Sequence, residues 1–108
     1  MPNTSADYYD SIAAELYSAV IADILDELGF REQIMRHDIV PLYEGASVVG
    51  RAATMLVAEV FEIPAEPYKL ELELLDNVNP GEVVVASTPA NMTAAIWGEL
   101  LATRTAAQ

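Results

Sequence analysis

Glu82-Val83-Val84-Val85-Ala86 is the strongest strand signal in the chain, and the apolar segment 87–103 follows it almost at once. Consecutive β-branched valines are stiff at χ1 and pack well on a pleated surface. A strand that passes through a short turn into a helix is half of a parallel βαβ unit, so the chain is expected to layer helices on a sheet. Thr88 offers an N-cap for that helix, and Pro89 suits its first position, where a missing N–H costs nothing. Gly98 interrupts the pattern, because glycine inside a helix costs about 1 kcal/mol relative to alanine. Two readings follow. Either Gly98 lets Trp97 pack closely, or the helix restarts there and leaves the amides of Glu99, Leu100 and Leu101 as free donors. A restarted helix would present N–H groups and partial positive charge to a carboxylate or phosphate.

The chain of 108 residues has the length of one domain, and 53% hydrophobic residues are ample for a core. Seventeen acidic residues against five basic ones give a net charge of -12. That charge repels phosphate backbones, so direct nucleic-acid binding is not expected, and cations or basic protein surfaces are the favoured partners. There is no cysteine, which excludes disulfides, thiolate metal sites and cysteine nucleophiles. Residues 1–10 lack a basic region followed by an apolar run, and no apolar stretch reaches the ~20 residues of a membrane span. The expectation is a soluble, cytoplasmic protein.

In chain order, Thr4 to Asp7 supplies capping residues, and residues 8–16 form a short helix with Tyr9, Ile12, Ala13 and Leu16 on one face. Ser18 is a second cap. Val20, Ile21, Ile24, Leu25 and Leu28 then recur at helical spacing, and Gly29 fits a left-handed C-terminal cap. Asp23, Asp26 and Glu27 read as a solvated face. Residues 30–44 are irregular, and the single histidine, His37, has no second ligand nearby and receives no role. Residues 46–49 and 52–61 read as β structure with a turn or bulge at Gly50-Arg51. Arg51 can pair with an acidic neighbour or face an anion. After the loop Ile63-Pro64-Ala65-Glu66-Pro67, residues 68–78 are read as a helix with a stripe of Leu70, Leu74, Leu75 and Val78, stopped by Asn79-Pro80-Gly81. Glu71 and Glu73 then point to different faces and do not form a paired acid and base. The end of the chain continues a helical composition with no following strand, so the expected α/β domain is incomplete at its C-terminus.

Trp97-Gly98-Glu99-Leu100-Leu101-Ala102-Thr103, preceded by Asn79-Pro80-Gly81-Glu82-Val83-Val84-Val85, resembles the regulator of ribonuclease E activity A (RraA-like) family, which includes the 4-hydroxy-4-methyl-2-oxoglutarate aldolases. The stretch from Ser18 to Gly29 is similar to that family's opening helix, and Gly45-Ala46-Ser47-Val48-Val49-Gly50-Arg51-Ala52-Ala53-Thr54 to its first strands. The resemblance implies a swivelling-domain-like α/β sandwich, with residues 1–108 as a single partial domain and 1–16 as a helical extension within it. It implies homotrimers or hexamers with sites between protomers, and a magnesium or manganese ion that holds pyruvate or its enolate during aldol cleavage or oxaloacetate decarboxylation. It also implies that the backbone amides of Glu99, Leu100 and Leu101, beside Gly98, bind the oxo-acid carboxylate.

The chain departs from that pattern in two places. The family's Arg-Asp pair, which serves substrate and metal, would follow about twenty positions later, so this chain holds no metal ligand and no catalytic side chain by resemblance. The family's glycine-rich turn is replaced by Ser87-Thr88-Pro89-Ala90-Asn91. Three functions therefore stand: a lyase of the aldolase or oxaloacetate decarboxylase type that is inactive alone, an acidic module that binds a ribonuclease or another basic partner, and a fragment that only oligomerises.

Overall fold

A computed structural model describes residues 5–107, so Thr4, one of the expected capping residues, lies outside the described residues. The chain divides into two compact units, residues 1–49 and 50–108.

The first unit carries two helices, α1 (Ala6–Glu15) and α2 (Ser18–Glu27). α1 begins two residues earlier than its apolar pattern suggests, because Ser5 takes the cap and its hydroxyl accepts from the Tyr8 N–H at 3.3 Å. Tyr9, Ile12 and Leu16 on the expected face are half-buried, whereas Ala13 is exposed. Ser18 is the first helical residue of α2 and not its cap. Tyr17 holds the cap position with no side-chain bond. α2 ends as its sequence suggests. Gly29 adopts φ 91°, the Phe30 N–H donates to the Leu25 carbonyl at 2.8 Å, and the Gly29 N–H donates to Asp26 at 3.0 Å. These two bonds form a Schellman motif, which satisfies carbonyls that the helix leaves orphaned. Val20, Ile21 and Leu25 are half-buried, but Ile24 and Leu28 remain exposed.

The second unit is a βαβ arrangement followed by a helix, and it confirms mixed α/β architecture. β1 (Arg51–Leu56) and β2 (Glu82–Ser87) pair in parallel from Arg51↔Glu82 to Leu56↔Ser87. Parallel strands require a crossover, and α3 (Lys69–Asn77) supplies it. Along β1, Ala53 and Met55 are half-buried while Ala52, Thr54 and Leu56 are exposed, the period-two pattern of a strand covered on one face. α3 packs against β1 and against α4 (Glu99–Ala106). The core sits beneath α3, where Leu75 is 0% exposed and Val78 is almost fully buried.

Two features align the strands. Asn79-Pro80-Gly81-Glu82 has Pro and a positive-φ Gly at its two central positions, as a type II turn demands. The Glu82 N–H donates to the Asn79 carbonyl at 3.0 Å, and the Glu82 carboxylate accepts from the Asn79 N–H at 2.9 Å. The Gly81 carbonyl in turn accepts from the Arg51 N–H at 2.9 Å, which ties the turn to the first residue of β1.

Three expectations are corrected. Residues 46–49 are not a strand, and β1 (Arg51–Leu56) covers only residues 52–56 of the expected 52–61. A strand extends only as far as a partner, and β2 offers six residues. Gly50-Arg51 is neither turn nor bulge: Arg51 opens the strand. Residues 88–97 are not helical, so Thr88 caps nothing and Pro89 starts no helix. Asn91, Thr93, Ile96 and Trp97 are mediocre helix formers, and the glycine after them ends any helix before nucleation is repaid. One local turn remains, with the Met92 N–H donating to Pro89 at 3.2 Å.

Candidate functional site

The strongest candidate lies where α4 begins. Gly98 holds the cap position with extended backbone, φ -158° and ψ -176°, and its carbonyl accepts the first helical bond from the Ala102 N–H at 3.0 Å. An i→i−4 ladder starting there leaves the preceding amides unused. Among the described residues, the N–H groups of Glu99, Leu100 and Leu101 have no acceptor. Apart from its chain neighbours Trp97 and Glu99, a Cβ built on Gly98 meets nothing within 4 Å, so no packing by a residue distant in sequence requires glycine there. A helix does begin at Gly98, as the restart reading expects, but no helix precedes it, so it is a start and not a resumption.

This helix start forms part of the wall of an open groove of about 1120 Å³ within the second unit. Its other walls are the last residues of β1, the Leu70 and Leu74 face of α3, and Met92, Ile96 and Trp97 of the irregular segment. The helical stripe of α3 is thereby divided. Leu75 and Val78 turn into the core, whereas Leu70, 78% exposed, and Leu74 face the groove. The surface is mostly apolar, with Trp97 40% exposed and Leu100 86% exposed.

All charged residues lining the groove are acidic: Glu71, Glu73 and Glu99. Glu71 and Glu73 stand on different positions of α3, yet both border the same groove. Glu99 occupies the first turn of α4, where a carboxylate favours the helix through its dipole but opposes an incoming anion. Arg51 forms no ion pair among the described residues; its register partner is Glu82. His37 is exposed between Arg36 and Asp38, which pair with each other at 3.1 Å.

A divalent cation of the kind that the resemblance implies needs several oxygen or imidazole donors at one place. Among the described residues no group of three or more His, Asp or Glu is placed to hold one. These residues do not fit a metal, and no chemical step is assigned to one. No helix among them is long and apolar enough to cross a membrane.

Sequence reasoning selected Gly98 to Leu101 but missed the groove around them. The available signal was the width of the α3 stripe, since four apolar positions over nine residues cover more than one core-facing line. A family model described as RraA-like, aldolase/RraA, matches residues 18–108. No solved structure matches the chain.

Proposed function

The chain belongs to the RraA-like family, and from that premise we propose that the start of α4 receives the carboxylate of a pyruvate-derived oxo acid in an aldolase or oxaloacetate decarboxylase type of reaction. The observation that carries this reading is the set of three unpaired first-turn amides, Glu99 to Leu101, opening into a groove. Both reactions break a carbon–carbon bond and leave an electron pair on an enolate. Fixed N–H donors that hold the adjacent carboxylate orient the breaking bond, and donors near the developing oxyanion lower the barrier. The chain's own contribution is therefore binding and orientation. Magnesium or manganese belongs to the same family reading, although the described residues do not hold it. The reading also takes the fold as part of a swivelling-domain-like sandwich that works as a homotrimer or hexamer; sedimentation that finds only monomer would remove that assembly.

The test separates the amide from the side chain of residue 99. Glu99→Pro removes one donor at a position where proline suits a helix, and the extended Gly98 tolerates a following proline. Glu99→Ala removes the carboxylate and keeps the donor. Pyruvate or oxalate, followed by amide chemical shifts, should perturb Glu99, Leu100 and Leu101 first. Loss of one hydrogen bond to a charged group, about 1.5–3 kcal/mol, should weaken binding roughly ten- to hundredfold in Glu99→Pro. Glu99→Ala should bind at least as well as the parent. Equal affinity of the parent and Glu99→Pro would refute the role of these amides.

A second reading, an acidic module for a basic partner, is favoured by the exclusively acidic charge of the groove lining and the net charge of -12. It predicts binding that weakens as salt screens the charges, and salt-insensitive binding would count against it.

A further inference from the structure

From the groove in the second unit we infer a docking site for an amphipathic helix that has one apolar face and basic flanks. The inference rests on the acidic-module reading and adds to it the place of binding and the form of the partner. Three observations carry it. The groove is open and holds about 1120 Å³, which leaves room for a segment of chain. Its anchors are the side chains Leu70, Leu74, Trp97 and Leu100, from two helices and the segment between β2 and α4. Side-chain walls of this kind are read by apolar anchors at i, i+3, i+4 and i+7, the helix-in-groove mode, whereas strand addition reads backbone. The third observation is charge. Glu71 and Glu73 on α3 and Glu99 on α4 border the apolar surface, and no Lys, Arg or His lines it. A partner that lays apolar residues on the floor sets its flanking residues beside these carboxylates, which selects Lys or Arg there.

The chain contains a single tryptophan, Trp97, and it stands in the groove wall, so its emission reports occupancy directly. The probe is an 18-residue helical peptide free of Trp and Tyr, with Leu on one face and Lys on the other. It is compared with a scrambled peptide of equal charge and with a version carrying Glu in place of Lys. With the full 108-residue chain at low salt, the amphipathic basic peptide should bind and shift Trp97 emission to the blue, and the other two should not. Leu70→Gln and Leu100→Gln, at exposed positions, should weaken binding roughly ten- to hundredfold. Leu42→Gln, at a position 96% exposed and outside the groove, should leave it unchanged.

Equal binding of the scrambled peptide without a Trp97 shift would overturn the groove while leaving the acidic-module reading intact. Failure of every basic peptide to bind would overturn both. Equal binding of the Glu peptide, or equal loss in Leu42→Gln, would also overturn the inference. So would Trp97 emission that depends on the chain's own concentration and excludes the peptide, since that assigns the groove to a second copy.

Discussion

Gly50 precedes β1, and replacing it with alanine tests how closely the turn approaches the strand. A Cβ there would lie 2.6 Å from the Gly81 carbonyl oxygen and 2.7 Å from Val83 Cγ2. Gly50 does not have a positive φ, so the contact alone opposes the change. The Val83 methyl can be moved by a rotamer change, but the Gly81 oxygen cannot recede freely. It accepts the Arg51 N–H at 2.9 Å, and it belongs to a turn that the Glu82–Asn79 bonds hold closed. Overpacking of this kind costs about 1–3 kcal/mol. The loss of unfolded-state freedom on going from Gly to Ala returns about 0.4–1 kcal/mol. The net expectation is a loss of about 1–2 kcal/mol. At the scale of a small domain that lowers Tm by roughly 4–16 °C. Urea unfolding of the parent, Gly50→Ala, Val83→Ala and the double variant forms a thermodynamic cycle. Removing Cγ2 relieves one of the two clashes, so the double variant should be more stable than the sum of the single losses by about 0.5 kcal/mol or more. A Gly50→Ala chain as stable as the parent, or a strictly additive cycle, would refute the close approach.

Three further outcomes follow from the packing and caps. Leu75→Ala empties the one fully buried large side chain among the described residues and should cost about 2–5 kcal/mol in urea unfolding; a loss below 1 kcal/mol would mean that the site is not a core. Gly29→Ala places a Cβ at φ 91° with open space around it, so backbone strain of about 1–2 kcal/mol is expected without any clash, and an unchanged Tm would contradict the left-handed cap. Arg104 pairs with Asp76 through its Nε at 2.8 Å and through a second guanidinium nitrogen, but both side chains are about half exposed. Arg104→Ala should therefore cost no more than about 1 kcal/mol, and less in high salt, whereas a larger loss would show that the pair clamps α4 to α3.

Local chemistry was legible in the chain itself. Gly29 ends α2 because only a residue free to take positive φ closes its Schellman bonds cheaply, and Asn79-Pro80-Gly81 stops α3 and enters β2 through a type II turn. Gly98 marks the start of α4 for a related reason: a helix-breaking glycine leaves the helix to begin after it, and the first amides then lack carbonyl partners. These features depend on neighbours within five residues, which the sequence itself displays. Long-range choices were not legible in the same way. β1 is six residues long because β2 provides six partners, so apolar content beyond residue 56 could not extend it. The stripe on α3 looked like one face and became two. Leu75 and Val78 went to the core while Leu70 and Leu74 went to the groove, a division set by how β1 and α4 pack on the helix and not by its own periodicity. The acidic rim likewise exists only where α3 and α4 meet, since Glu71, Glu73 and Glu99 are separated in the chain and share one surface through tertiary packing.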